Sequence, residues 1–423
     1  MFDDRISGLP DELLHSILVG LGSAHAAART SVLSRRWRHL WRHLPELDLD
    51  DNPDSSPPPP PASFLDSVDG ALAGYSAPTL ERLSISLSRD DDYDSHSQIQ
   101  ILPQRVAPWL RFAAERVAGK LCLLVPPLTM PPHGEPDANA EEEAVLELPV
   151  CERAKSIVLC LAEMCRVRLQ PAGSFAALTY LMIIRGRMEG SELTALVRTR
   201  CPRLRELTLI VELAATSDVV SLRSGSLHSL VLFVRNARRI EVVAPRLEVL
   251  EVSHAAQAHI SAPNLAEIDW HTSDAYNPLH HRFADAGRRL RVLKVGKASA
   301  VASLLQQFDE VDELDLEICI PQMHFFPLSC PCHMEENRKI DGTALNSLEE
   351  VEICGFTDSR EKVELVELLS CNAAILKKLV INYQISCDAP LTKGVCAKVR
   401  SMCRLNVKVE FYTFLDGSWV RFD

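Results

Sequence analysis

Cys201-Pro202-Arg203-Leu204-Arg205-Glu206-Leu207-Thr208-Leu209 holds the unit that organises most of this chain. A small residue and a proline lead into an apolar-x-x-apolar-x-apolar run, here Leu204, Leu207 and Leu209. The last two apolar positions are two residues apart, the period of a strand with one buried face. The run recurs as Leu80/Leu83/Ile85, Leu178/Leu181/Ile183, Leu227/Leu230/Leu232, Leu247/Leu250/Val252, Leu265/Ile268/Trp270, Leu290/Leu293/Val295, Val311/Leu314/Leu316, Leu348/Val351/Ile353 and Leu376/Leu379/Ile381. The proline lead-in recurs in Ala77-Pro78-Thr79, Ala244-Pro245-Arg246 and Ala262-Pro263-Asn264. A proline just before a strand removes no ladder hydrogen bond and sets the direction of the chain into the turn.

From Leu178 to Val311 successive runs are 26, 23, 20, 18, 25 and 21 residues apart. Most of these steps fall within the period of leucine-rich repeats. One such unit cannot cover its own apolar face, but stacked neighbours can. The spacing therefore predicts an α/β chain built as an irregular leucine-rich-repeat solenoid with a parallel inner sheet. The return segments are short, so many are expected to be extended or turn-like instead of helical.

Residues 5–47 read differently, as three short helices. Pro10 suits a first helical position, and Asp11 and Glu12 place negative charge at the positive end of the helix dipole. Leu14, Ile17, Leu18 and Leu21 fall at i, i+3, i+4 and i+7, and Gly20 and Gly22 end the helix. A second helix is expected through Ala24–Leu33, and a third over Arg35–Leu44 with Trp37, Leu40, Trp41 and Leu44 on one side. Forty residues bury little surface, so this unit should lean on a neighbour.

The 423 residues are 47% apolar but only 6% aromatic, which suits an aliphatic stacked core. The net charge of −12 argues against a general nucleic-acid binder, which needs clustered cations to displace counterions. Thirteen cysteines lie without paired spacing, which points to reduced thiols and a cytoplasmic or nuclear setting. No apolar run approaches the roughly 18 residues of a membrane span, and the opening Met1–Arg5 is acidic, so a soluble chain with no membrane partner is expected. Leu121–Val125 and Ile157–Ala162 have the length of buried strands.

Three composition breaks divide the chain. Asp48–Ser63 combines aspartates with the Pro57–Pro61 run and reads as an extended spacer. Pro126–Ala144 and Pro321–Asp341 read as a solvated loop and an insertion. The expected organisation is a helical unit over 1–47, a linker over 48–63, repeats over 64–340 and a distinct C-terminal module over 341–423.

The N-terminal stretches Asp4-Arg5-Ile6-Ser7-Gly8-Leu9-Pro10-Asp11-Glu12-Leu13-Leu14 and Arg29-Thr30-Ser31-Val32-Leu33-Ser34-Arg35-Arg36-Trp37-Arg38-His39-Leu40-Trp41 strongly resemble the F-box of plant F-box/leucine-rich-repeat proteins. Gly22–Ala28 departs from the family pattern, which leaves the start of the second helix unassigned. The stretch Leu348–Phe356, with Glu364–Leu369 and Asn372–Leu379, looks like the FBD module of the same family. The resemblance implies a non-catalytic substrate receptor of an SCF-type cullin-RING ubiquitin ligase. Its F-box would bind a Skp-type adaptor and, through it, the cullin scaffold; its repeats would hold a target protein. Leu9, Pro10, Leu13, Ile17, Leu18, Val32, Leu33 and Trp37 are the expected adaptor-binding residues, because they exceed what so small a unit can bury alone. The alternative is a repeat scaffold outside any ligase, with a degenerate F-box.

Other chemistries find less support. The basic, aromatic helix Arg35–His43 invites a nucleic-acid reading, but residues 1–47 hold six arginines against five carboxylates and are nearly neutral. Cys330, Cys332 and His333, with Cys319 and His324, lack a second ligand pair at zinc spacing, so free thiols in a loop are expected and no metal. The fourteen histidines sit in no triad order, and the chain lacks a nucleophile elbow, a His-Glu-x-x-His helix and a phosphate loop. No cofactor and no catalytic residue are therefore expected. Glu141–Glu143 reads as a solvated face, and Trp270 as core.

Overall fold

The computed structural model describes residues 8–20, 37–50, 61–87, 103–124, 145–161, 165–214, 219–253, 256–270, 279–296, 307–308, 310–317, 348–356, 366–367, 369–371, 373–383, 392–415 and 418–422. The chain divides into two compact units, residues 1–244 and 245–423.

The first unit opens with helix α1 (Asp11–Gly20), whose first turn is closed by the Pro10 carbonyl accepting from the Leu13 and Leu14 amides at 3.1 Å each. The one-turn helix α2 (Trp37–Leu40) runs on into a 3-10 turn at Trp41–His43. Leu14, Leu18, Trp37 and Leu44 form their shared core, with Leu9, Leu40 and Trp41 packed against it. The expected second helix, Ala24–Leu33, lies outside the described residues. The chain continues as β1 (Glu46–Asp50), α3 (Pro61–Gly74), β2 (Leu80–Ser86), α4 (Pro103–Arg116), β3 (Val117–Leu124), β4 (Val145–Leu148), β5 (Ser156–Cys160), β6 (Arg166–Leu169), β7 (Tyr180–Met188), α5 (Gly190–Ala195), β8 (Glu206–Leu213), β9 (Val219–Arg223), β10 (Ser229–Arg235) and β11 (Arg239–Val243).

Parallel pairing builds one sheet in the order β1–β2–β3–β5–β7–β8–β10, with β6 between β4 and the end of β7. The register explains the repeat pattern. Leu47, Leu83, Leu121, Ile157, Leu181, Leu207 and Leu230 pair in one row across seven strands. Leu49, Ile85, Leu123, Leu159, Ile183, Leu209 and Leu232 form the next row, and both rows are buried. Each leucine buried from water contributes on the order of 1.5–3 kcal/mol, and none of it is available to a repeat standing alone. Leu178, Leu204 and Leu227, the first leucines of the runs of β7, β8 and β10, sit in the turns before those strands. There Leu178 and Leu204 donate to carbonyls three residues back at 3.1 and 3.3 Å.

Successive repeats are joined by one recurring device: a carbonyl ahead of one strand accepts two amides from the next repeat. Lys155 serves Thr179 and Tyr180, Thr179 serves Arg205 and Glu206, and Arg205 serves His228 and Ser229. The return segments of the later repeats are strands, and β9 and β11 pair in parallel as a second layer. The earlier returns are the 14-residue helices α3 and α4, tied by the Trp109 indole donating to Asp69 at 2.6 Å and by Arg105 between Asp66 and Asp69.

Both ends of the expected 48–63 spacer differ from the sequence reading, and at its far end α3 already begins at Pro61. Asp48–Asp50, expected to begin the spacer, is the second half of β1, because Leu47 and Leu49 alternate with the acids and face inward. The helical unit is consequently stitched to the repeats. Tyr75 donates its hydroxyl to the Leu44 carbonyl at 2.8 Å, with the Thr79 carbonyl at 3.0 Å, and the Ser76 amide donates to Arg42 at 3.0 Å. Trp41 lies against Gly74, where a Cβ would meet its ring at 3.1 Å.

The second unit repeats the plan with β12 (Val249–Ser253), β13 (Gln257–Ser261), β14 (Glu267–Trp270), β15 (His281–Ala284), β16 (Arg289–Gly296) and β17 (Glu310–Glu317). β12–β14–β16–β17 pair in parallel, and β13–β15 form the second layer. Trp270 is buried, with the His281 ring 4.7 Å away and Phe283 edge-on at 6.0 Å. The C-terminal strands β18 (Glu350–Phe356), β19 (Lys378–Tyr383) and β20 (Lys408–Leu415) are parallel, and β21 (Ser418–Arg421) returns antiparallel to β20. Helix α6 (Lys393–Met402), capped by Thr392 accepting from the Val395 amide, shares a core with this sheet through Val395, Cys396, Val399, Leu379, Ile381 and Phe411. No helix among the described residues is long and apolar enough to cross a membrane.

Candidate functional site

Two surfaces of the first unit combine exposure with chemistry. The first is the outer face of α1. Leu14 and Leu18, four residues apart, are sealed inside against Trp37. Leu13 and Ile17, also four apart, turn outward and remain 51% and 43% exposed. Exposed Pro10 extends that stripe at the helix start, and Leu9 is partly buried against the helical core. The eight residues expected to bind an adaptor are therefore split. Leu18 and Trp37 are interior, Pro10, Leu13 and Ile17 are exterior, Leu9 lies between, and Val32 and Leu33 lie outside the described residues.

The second surface is the open face of the sheet, opposite the buried leucine rows. On β3, β5, β7, β8 and β10 it carries two apolar rows, all half-buried. One is Cys122, Val158, Met182, Thr208 and Val231; the other is Leu124, Cys160, Ile184, Ile210 and Phe233. On β1 and β2 the same rows are polar, with Asp48 and Ser84, then Asp50 and Ser86. In the second unit the equivalent face of β12, β14 and β16 is charged, with Glu251, Asp269 and Lys294 in register.

A bulge interrupts this face. Between the pairs Ile184–Ile210 and Arg187–Glu212, β7 places two residues, Arg185 and Gly186, opposite the single Val211 of β8. Both adopt left-handed backbone, with φ of 66° and 83°. Gly186 is required there, since a Cβ would lie 3.2 Å from the Cys165 carbonyl. The bulge lets Leu161 donate to Ile184 at 3.0 Å and Arg187 donate to Cys165 at 2.8 Å, which carries the chain past β6. Burial pushes the Cys160 thiol pKa up, and the positive charge of Arg185 draws it partly back. Cys122 behaves alike, raised by burial and lowered by Lys120. Sequence reasoning missed this bulge, although a glycine inside a strand pattern is its usual signal.

No group of His, Cys, Asp and Glu among the described residues could hold a metal ion. The zinc candidates Cys319, His324, Cys330, Cys332 and His333 lie outside the described residues. The thiols of Cys151 and Cys201 are pushed to about 12 by burial alone, which makes them poor nucleophiles.

Comparison with known proteins fits this geometry. Residues 6–48 match the F-box domain family, and residues 106–280 match the family described as FBD-associated F-box protein At5g56370, LRR repeats. The chain is similar to the plant F-box/leucine-rich-repeat proteins both in its N-terminal helices and in its repeats. Among similar proteins, F-box/LRR-repeat protein 13 of Arabidopsis thaliana is 29% identical over 59% of this chain and 52% of its own length. The putative FBD-associated F-box protein At5g50270 of Arabidopsis thaliana is 26% identical over 90% of the chain and 97% of its own length. F-box/LRR-repeat protein At4g14103 of the same plant is 36% identical over 28% of the chain and 29% of its own length. The chain thus spans about half the length of the first of these relatives and nearly all of the second. The F-box match places α1 and the Trp37 turn in one module, and the repeat match takes in the strands from β3 to β14.

Proposed function

We propose that this F-box/leucine-rich-repeat protein is the substrate-recognition subunit of an SCF-type cullin-RING ubiquitin ligase. Its F-box docks on a Skp-type adaptor and through it on the cullin, and its repeats hold a target protein. The observation that carries the reading is the division of α1. Leu14 and Leu18 already have a core, while Leu13 and Ile17 are spread over water beside Pro10. Large apolar side chains set in one stripe on a short helix gain free energy when another helix covers them. The chain itself performs no catalysis; it raises the effective concentration of target lysines near activated ubiquitin. The working division is an F-box over 1–47, a linker over 48–63, repeats over 64–340 and an FBD-like module over 341–423, in a protein of the cytoplasm or nucleus. Asp48–Asp50, at the start of this linker, are also the second half of β1.

The test is co-purification of the full chain with a Skp-type adaptor, alone and as the Leu9→Ala/Pro10→Ala double variant. The variant is expected to weaken adaptor binding while the repeats stay folded. Unchanged adaptor affinity in that variant would remove the docking assignment.

A further inference from the structure

The open face of the first unit is selective in its chemistry as well as apolar. Its two apolar rows cross five strands at about 4.8 Å spacing, a strip roughly 19 Å long, which is the length of about six residues of extended chain. Along one border lie cations. Arg185, lifted by the bulge, is half-buried, and among the described residues no carboxylate pairs with it. Arg235, the next outward position after Phe233 on β10, is exposed. It lies in register with Glu212, which Arg187 approaches at 3.3 Å and Asn236 at 2.9 Å. The opposite border is the row Lys120, Ser156, Tyr180, Glu206 and Ser229, and Asp48 and Asp50 on β1 lie beyond β2 at one end of the strip. The Arg185 side chain is half-buried and near enough to Cys160 for its charge to act on that thiol, so it has lost part of its hydration and gains most from a carboxylate that brings its own apolar neighbours. The non-glycine φ of 66° at Arg185 is a local cost retained at this one point of the face.

We propose that this face binds an extended apolar stretch of the target polypeptide that bears one carboxylate side chain, with Arg185 as the specificity-determining contact. The inference rests on the reading of the repeats as a target platform. A nucleic acid does not suit the strip, whose floor is aliphatic in a chain of net charge −12.

The test uses the full chain purified with its adaptor and an array of immobilised ten-residue peptides. Each peptide has an apolar core and is paired with a partner that differs only by Glu replaced with Gln. Peptides that bind should favour the Glu member by about tenfold, the worth of one charge-assisted hydrogen bond. Arg185→Asn, which tolerates left-handed backbone, should erase that preference, and Arg185→Lys should keep most of it. Unchanged hydrogen-exchange protection in β7 verifies that both variants are folded. Equal binding of Glu and Gln members, survival of the preference in Arg185→Asn, or no peptide binding by a complex that does hold the adaptor would each overturn the proposal. The last of these leaves the ligase reading standing, whereas a chain that binds the peptides but no adaptor overturns that reading and not this one.

Discussion

Helix α1 offers a comparison between two leucine-type pairs on one element. Leu14 and Leu18 are 0% and 1% exposed, packed with Trp37 and Leu44. Truncating either to alanine should cost about 2–5 kcal/mol, the range for a fully buried leucine that leaves a cavity. Leu13 and Ile17 are about half open to water. Removing them should change stability by no more than about 0.5 kcal/mol. Covering the open half of each would return about 1 kcal/mol, from the roughly 1.5–3 kcal/mol of complete burial. The Leu13→Ala/Ile17→Ala variant should therefore lose about 2 kcal/mol of adaptor affinity, roughly thirtyfold in Kd. Hydrogen exchange of residues 11–20 reports local stability, and titration calorimetry with the adaptor reports affinity. Protection should fall in Leu14→Ala and hold in the double variant, while affinity should fall in the double variant. The reasoning is refuted if the outward pair unfolds α1, or if its loss leaves the adaptor bound as before.

Three further outcomes follow from particular contacts. Tyr75→Phe should destabilise by about 1 kcal/mol through loss of the hydroxyl bonded to Leu44. Burial raises the Tyr75 pKa to about 12, above its unfolded value near 10, so the contribution is complete below about pH 10 and lost as pH rises toward 12. The gap between wild type and Tyr75→Phe in urea melts should accordingly close over that window. Gly186→Ala sets a side chain at φ 83° against the Cys165 carbonyl and should lower the unfolding free energy from urea melts by more than about 1 kcal/mol, whereas Gly225→Ala, with open space at its Cβ, should cost much less. Under alkylation at pH 8, exposed Cys371 should react in the folded chain, and Cys151 and Cys201 only after unfolding, as read by peptide mass spectrometry.

The repeats were legible because a period of two beside a recurring turn admits one structure: Leu204 in the turn, Leu207 and Leu209 facing in. The second layer was half legible. Val220 and Leu222 alternate with polar neighbours, but five residues do not say which sheet they join. Helix α3 was hidden by the proline run before it, although Phe64, Leu65, Val68 and Leu72 give one buried face. The two sides of α1 were not legible either. Leu13, Leu14, Ile17 and Leu18 form two adjacent apolar stripes, and only the placement of Trp37 and Leu44 decides which is inside. Nothing in the sequence singles out Arg185, since it does not reveal that β7 gains a residue relative to β8.

The most direct test of the account is co-expression of the full chain with a Skp-type adaptor, followed by gel filtration and exchange mapping. A one-to-one complex with new protection at Leu13 and Ile17, and little change at Leu14 and Leu18, is the predicted result. Separate elution of the two proteins, with the exchange of α1 identical in the presence and absence of the adaptor, contradicts it.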